Sequence, residues 1–240
     1  MNLPGVNDIH FPGDVPGCIA RAPGAGPHPG VVVLMEAFGL TPHIRNVCAR
    51  LASLGYTAAA PDLYRGQRFD YADLDGVFAK LRTVDDARAV ADVSAALDYL
   101  TDTEGAPRCG VSGFCMGGRL AFLAGCRLAT RLQAVACFYG GAIAPGVERD
   151  RFGRTPPIGE TETLQAPLLL VYGGQDPSIA PDEHARVAQR LSTAHKRYTL
   201  SVYPGAGHGF CCEDRPSYAA TATTSAFKEL DGFFAGHLRR

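Results

Sequence analysis

The chain has 240 residues, 46% of them hydrophobic and 20% charged, with 23 Lys and Arg against 24 Asp and Glu. That near-neutral balance, without any run of five basic residues, gives no field for gathering phosphates and argues against a nucleic-acid partner. Apolar runs such as 31–35 and 168–172 are strand-sized, far below the roughly 20 residues a membrane-crossing helix needs, so no membrane partner is expected.

In chain order, residues 1–17 carry acids, Pro and Gly where a secretory leader would place a basic end and an apolar stretch, so a cytoplasmic protein is expected. Residues 31–35 are rich in β-branched side chains and apolar on both faces, which suits a strand covered on each side. A helix follows, with Thr41 as cap, Pro42 at its first position, and Ile44, Val47, Cys48, Leu51 and Leu54 on one stripe before Gly55. Strand 56–60, helix 84–100 with the stripe Val90, Val93, Leu97 and Leu100, strand 108–112 and helix 116–129 come next. Strands 134–138 and 168–172, helix 181–194, strand 198–203 and a last helix over 217–238 complete the pattern. Strands alternating with helices predict an α/β fold in one domain over 1–240, a mainly parallel sheet wrapped by helices on both faces. In such sheets functional groups gather at the carboxyl ends of the strands.

Eight cysteines include no C-x-x-C pair and no histidine at metal-ligand spacing. They read as reduced thiols, with Cys109 and Cys137 acting as small hydrophobes, and no metal is expected.

Gly113-Phe114-Cys115-Met116-Gly117-Gly118 follows a strand and opens a helix, which matches the G-x-S-x-G nucleophile elbow with Cys in place of Ser. Glycines at 113 and 117 let backbone approach closely around the sharp turn that presents Cys115. At a helix N-terminus the amide dipoles favour a thiolate, and the backbone N–H of Met116 is a natural oxyanion donor. Asp176 follows strand 168–172, and His208 follows strand 198–203, so both side chains belong at the same sheet edge. The order nucleophile, acid, histidine is that of an α/β-hydrolase triad. Glu36 ends an otherwise apolar strand at that edge, where it either caps a nearby helix or meets an arginine, or lies beside Cys115 so that its charge keeps the thiol protonated until substrate displaces it; Ala37 N–H would be the second oxyanion donor. Surface or capping roles are expected for His10, His28, His43, His184, His195 and His237.

Together, Met35-Glu36-Ala37-Phe38-Gly39, Pro61-Asp62-Leu63-Tyr64, the Cys115 elbow, Gly173-Gly174-Gln175-Asp176 and Gly207-His208-Gly209-Phe210 resemble the dienelactone hydrolase family over nearly the whole chain. The resemblance implies an α/β-hydrolase fold without a large lid domain and an activity of the carboxymethylenebutenolidase type, the opening of an unsaturated lactone. It makes Cys115 the nucleophile, His208 the general base and then acid, Asp176 its orienter, Glu36 the modulator of the thiol, and the amides of Ala37 and Met116 the oxyanion hole. No cofactor is implied. Phe38, Phe138, Tyr139, Phe210 and Cys212 fall where substrate contacts are expected. The chain departs from the family pattern at two of these: Cys212 stands where the family has an arginine, and Phe138 where it has a tyrosine. The family's other arginine has Arg65, Arg68 and Arg82 as candidates. The expected partner is accordingly a small-molecule ester, lactone or thioester with a less acidic or differently placed group, acted on by a monomer or small homo-oligomer.

Two other classes stay open on sequence. Cys115 or the adjacent Cys211-Cys212 pair could serve as a thiol redox sensor, or the fold could be a noncatalytic binding protein. Peroxide consumption without ester turnover marks the first; tight binding without an acyl-Cys115 intermediate marks the second.

Overall fold

The computed structural model describes residues 3–239; residues 1, 2 and 240 of the expected 1–240 domain lie outside them. Eight strands form one sheet: β1 (Val6–Phe11), β2 (Val15–Ala20), β3 (Gly30–Leu34), β4 (Thr57–Pro61), β5 (Cys109–Phe114), β6 (Ala134–Phe138), β7 (Leu168–Gly173) and β8 (Tyr198–Tyr203). Their order across the sheet is β1-β2-β4-β3-β5-β6-β7-β8. Strands β3 to β8 run parallel, and β2 pairs antiparallel with both β1 and β4. Every residue of β3, β4, β5, β6 and β7 is buried, as strands covered on two faces require, whereas the edge strands β1 and β8 are partly open. The helices are α1 (Pro42–Ser53), α2 (Leu74–Leu81), α3 (Asp86–Asp98), α4 (Met116–Arg127), α5 (Pro181–Thr193) and α6 (Ala220–Leu238).

This is the mainly parallel α/β architecture expected, with several local differences. The β1–β2 hairpin was not anticipated, because Pro12, Gly13, Pro16 and Gly17 read as turn residues. Gly13 and Asp14 take positive φ in the turn, and Pro16, lacking an N–H, still uses its carbonyl to accept from Asp62 N–H at 2.8 Å. Helix α3 begins at Asp86 rather than 84 because the Asp85 carboxylate caps it, accepting from Arg88 N–H at 2.7 Å; after Asp98 it passes into one wide π turn, Tyr99–Thr103. Helix α6 begins at Ala220 rather than 217, since the Ser217 hydroxyl donates to the His208 carbonyl at 2.7 Å and so anchors the preceding loop. Helix α2 is a further short amphipathic segment, capped by Asp73. Thr41 stands at the N-cap of α1 but makes no capping bond.

The parallel register brings Leu34 beside Gly113, Phe114 beside Phe138, and Gly173 beside Tyr203. The carboxyl ends of β3, β5, β7 and β8 therefore open on one edge, and each is followed by a residue singled out above. Among the described residues no helix is long and apolar enough to cross a membrane.

Candidate active site

Cys115 sits between β5 and α4 with φ 55° and ψ −116°, a left-handed conformation that a side chain rarely adopts. The glycines around it explain how the turn closes. A side chain at Gly113 would collide with the backbone of Gly117, and one at Gly117 with the backbone of Leu34. Cys115 N–H donates to the Phe138 carbonyl at 2.9 Å, and the Cys115 carbonyl accepts from Gly118 N–H at 2.9 Å, which fixes the elbow between β6 and α4. The thiol emerges partly exposed, while the other seven cysteines are buried; all eight are free.

His208 reaches the thiol from the loop after β8: its Nε2 lies 3.1 Å from Cys115 Sγ. On its other side Asp176, from the loop after β7, accepts from Nδ1–H at 2.7 Å. The second carboxylate oxygen of Asp176 accepts from Ser178 N–H, also at 2.7 Å, so the acid is fixed at both oxygens. Residues 93 and 32 positions apart thus form one continuous hydrogen-bonded row. Loss of water raises the thiol pKa, but the positive charge and hydrogen bond of His208 outweigh it, Glu36 opposes and Arg215 assists, and the net effect is a thiol below its ordinary value. For His208, burial disfavours the cation, yet the facing sulfur and the Asp176 carboxylate push its pKa up to about 10. The two shifts favour a thiolate–imidazolium pair over two neutral groups.

Glu36, after β3, is fully buried, and that burial pushes its carboxyl up against the pull of Arg215 and His208. Arg215 Nη1 lies 3.5 Å from Glu36 Oε1, and the guanidinium also covers the Phe38 and Tyr71 rings. The sequence reading missed Arg215. It looked for a cation four residues after His208 and found Cys212, whereas the structure supplies one seven residues after it. Gly209 is what admits it: at φ 73° and without a side chain, it leaves the volume the guanidinium occupies.

His43 was expected at the surface or as a cap; instead it is buried in α1, its ring edge against Phe114. Burial, helped by the Arg215 charge, lowers its pKa to about 4, so it is a neutral imidazole at physiological pH. Glu36, His43 and Cys212 offer carboxylate, imidazole and thiol atoms that all lie within 4.8 Å of one another. Glu36 Oε2 and His43 Nε2 have no hydrogen-bond partner, and the Cys212 thiol donates to the Tyr71 hydroxyl at 3.2 Å. His184, also given a surface role above, stacks on Tyr172 with ring centroids 4.1 Å apart.

A cavity of about 240 Å³ adjoins Cys115 and His208 and includes Arg119, Arg151 and Arg154 in its wall. It shares Pro145 and Val147 with a larger outer groove of about 740 Å³. The expected substrate contacts Phe38, Phe138, Tyr139, Phe210 and Cys212 do not line this cavity. Phe138 is instead part of the core stack with Phe114 and Phe227, and Phe210 packs on Tyr203 and Tyr139. Tyr139 is fully buried with its ring 5.5 Å from His208, so it backs the imidazole. Phe38 lies under Arg215, and Cys212 under Tyr71. The arginine candidates resolve similarly: Arg65 is held bidentately by Asp92, and Arg68 and Arg82 are exposed away from the cavity.

The cavity's own arginines are differently committed. Arg119, only 1% exposed, gives two bonds to Asp86 and one to the Thr155 carbonyl, leaving Nε without a partner. Arg154 gives Nε and Nη2 to Asp150, while its buried Nη1 has no partner. Burial and the Arg119 charge lower the Arg154 pKa, the mark of a cation whose surroundings under-neutralise it.

Comparison with known proteins now decides the family. The model of the dienelactone hydrolase family matches residues 15–238. The chain belongs to the dienelactone hydrolase family. A relative in Escherichia coli named "Putative carboxymethylenebutenolidase" is 35% identical over 218 residues, 87% of this chain and 77% of its own. A Bradyrhizobium protein named "Probable 2-oxo-3-(5-oxofuran-2-ylidene)propanoate lactonase" is 30% identical, with 92% of this chain and 88% of that one covered. Among solved structures, the "Putative Dienelactone Hydrolase" of Klebsiella pneumoniae superposes with a TM-score of 0.90 at 32% identity, covering 98% of this chain and all of that one. Membership of this family makes the chain a hydrolase of the α/β-hydrolase fold.

Proposed function

We propose that this dienelactone hydrolase family member opens ester or lactone bonds by covalent acyl transfer through Cys115. The single observation that carries the reading is the row Cys115 Sγ, His208, Asp176, with links of 3.1 and 2.7 Å. In the first half-reaction the Cys115 thiolate attacks the carbonyl carbon and the tetrahedral oxyanion forms. Among the described residues the N–H groups of Ala37 and Met116 make no backbone hydrogen bond, which leaves both to receive that oxyanion. Collapse expels the alcohol, which takes its proton from the His208 imidazolium. In the second, neutral His208 removes a proton from water, the hydroxide adds to the acyl-thiol, and the acid leaves as Cys115 returns to thiolate facing protonated His208. Asp176 keeps the imidazole in the tautomer that aims Nε2 at sulfur. Glu36 tunes the thiol: its charge opposes ionisation, while Arg215, set against Glu36, favours it.

Substrate selection falls to the cavity wall. The positive wall formed by Arg119, Arg151 and Arg154 fits a substrate bearing an anionic group, placed elsewhere than a clamp at position 212 would hold it. The larger outer groove leaves room for a group that exceeds the inner 240 Å³. The test is hydrolysis of an activated aryl ester by Cys115→Ala, which should lose on the order of 10⁶ in kcat, as removal of a nucleophile does elsewhere, while keeping its circular dichroism spectrum. Turnover at the native rate removes Cys115 from the reaction.

A further inference from the structure

The Glu36, His43 and Cys212 cluster plays no bond-making part in acyl transfer, yet its composition is unusual for a protein interior. All three residues are buried, and two of their polar atoms, Glu36 Oε2 and His43 Nε2, have no partner. Leaving a buried polar atom unpaired is costly, so two side by side call for something that satisfies both. The His43 ring places Nε2 beside the Glu36 carboxylate and the Cys212 sulfur, all three donor atoms within 4.8 Å of one another. The geometry points to a divalent-metal site, with Glu36 Oε2, His43 Nε2 and Cys212 Sγ as ligands and zinc as the best-matched ion.

One sulfur, one imidazole nitrogen and one carboxylate oxygen form a donor set that zinc binds tetrahedrally, with a fourth position left for water. Zinc bonds of about 2.0–2.3 Å put neighbouring donors roughly 3.2–3.7 Å apart. The donors here already lie within 4.8 Å of one another, so closing on the ion asks each side chain to move by less than about 1 Å. Charge also balances. The Glu36 carboxylate and a Cys212 thiolate neutralise a divalent ion, and the Cys212 proton leaves to solvent on binding. Tyr71, whose hydroxyl accepts from the thiol, can turn to donate to the thiolate and so hold it from the second shell. The opposing charge is Arg215, which stands at the other carboxylate oxygen, Oε1, and leaves Oε2 open. On the side of α1, His43 lines a cavity of about 400 Å³ whose wall includes Glu213 and Asp214.

The three ligands sit at positions 36, 43 and 212, on the loop after β3, the first turn of α1 and the loop after β8, a spacing no sequence motif would flag. The site is distinct from the Cys115–His208 pair, which is itself a thiol and an imidazole able to hold a metal, so the experiment separates the two. The full-length protein, stripped with chelator and dialysed, is titrated with Co²⁺ and then Zn²⁺ in wild type, Cys115→Ser, His43→Gln and Cys212→Ser. The expected result is one ion per chain in both wild type and Cys115→Ser, with a near-ultraviolet thiolate-to-cobalt band that zinc abolishes. His43→Gln and Cys212→Ser should each weaken binding by more than about 100-fold, beyond the 10–100-fold that loss of an outer-shell partner costs. Where either variant fails to fold, the Cys115→Ser spectrum alone decides. No thiolate band in that protein, or undiminished binding in folded Cys212→Ser, overturns the assignment. Binding lost only in Cys115→Ser places the metal on the hydrolytic pair instead and equally overturns it.

Discussion

The two sides of the Cys115–His208 pair are built on opposite terms. Towards β7, hydrogen bonds meet His208 Nδ1 and both carboxylate oxygens of Asp176, and Ser217 holds the His208 carbonyl. Towards β3, Glu36 Oε2 and His43 Nε2 lie buried without partners, and Arg215 reaches Glu36 only at 3.5 Å. The difference separates two uses of buried polarity. A fully satisfied row fixes a tautomer and a direction for proton transfer; a row of unmet acceptors stores capacity for a cation. The same contrast recurs in the cavity wall, where Arg119 and Arg154 are anchored by Asp86 and Asp150 yet each leaves one buried guanidinium nitrogen unpaired.

Experiments that disturb the satisfied side should have the largest consequence. Asp176→Asn reverses the hydrogen bond to Nδ1 and stabilises the wrong tautomer, so kcat should fall by about 10⁴ with little change in stability; activity within tenfold of wild type would show that His208 is oriented by something else. Next comes the cavity wall. Arg154→Gln removes a charge-assisted contact of about 1.5–3 kcal/mol, which predicts a ten- to hundredfold lower kcat/KM, mostly through KM, for carboxylate-bearing esters and no change for neutral ones. Equal effects on both substrate types would make Arg154 a purely structural partner of Asp150.

The smallest effect is a displacement along the pH axis. Because His208 more than offsets the loss of water around the sulfur, iodoacetamide should label Cys115 with a midpoint below 9, while Cys109 and Cys212, whose thiols burial pushes up to about 11, react only at higher pH. In His208→Asn the main opposition to burial is gone and only Arg215 still favours the thiolate, so the Cys115 midpoint moves up. As pH rises through about 10, where His208 gives up its proton, the donor to the leaving group disappears and kcat should fall. A wild-type midpoint at or above 9 would contradict the ion-pair description.

Much of this arrangement was legible before any coordinates. Apolar runs that feed two-sided strands and stripes at helical spacing placed β3 to β8 and most helices, because local pattern and burial agree there. Cys115, Asp176 and His208 each follow a strand, which is why order along the chain was enough to bring them to one edge. What escaped depended on contacts that periodicity does not encode. The β1–β2 hairpin carries prolines and glycines that pairing tolerates near a sheet edge. Arg215 is visible only once the Gly209 turn shows where chain after His208 returns. His43 stands one turn before Val47 on the buried stripe of α1, but its polar side chain reads as surface. Phe138 and Phe210, expected against substrate, lie in the core because the end of β6 and the turn after β8 that carry them face the ring stack behind the site.

The central claim is that Cys115 carries the acyl group. Rapid-quench mass spectrometry of the protein exposed to a panel of lactones and aryl esters tests it most directly, with Asp176→Asn included to slow deacylation. The account predicts a mass increase equal to the acyl moiety, mapped by peptide sequencing to Cys115 and absent from Cys115→Ser. Steady turnover with unmodified Cys115 at every quench time, in both the wild type and the slowed variant, would contradict it.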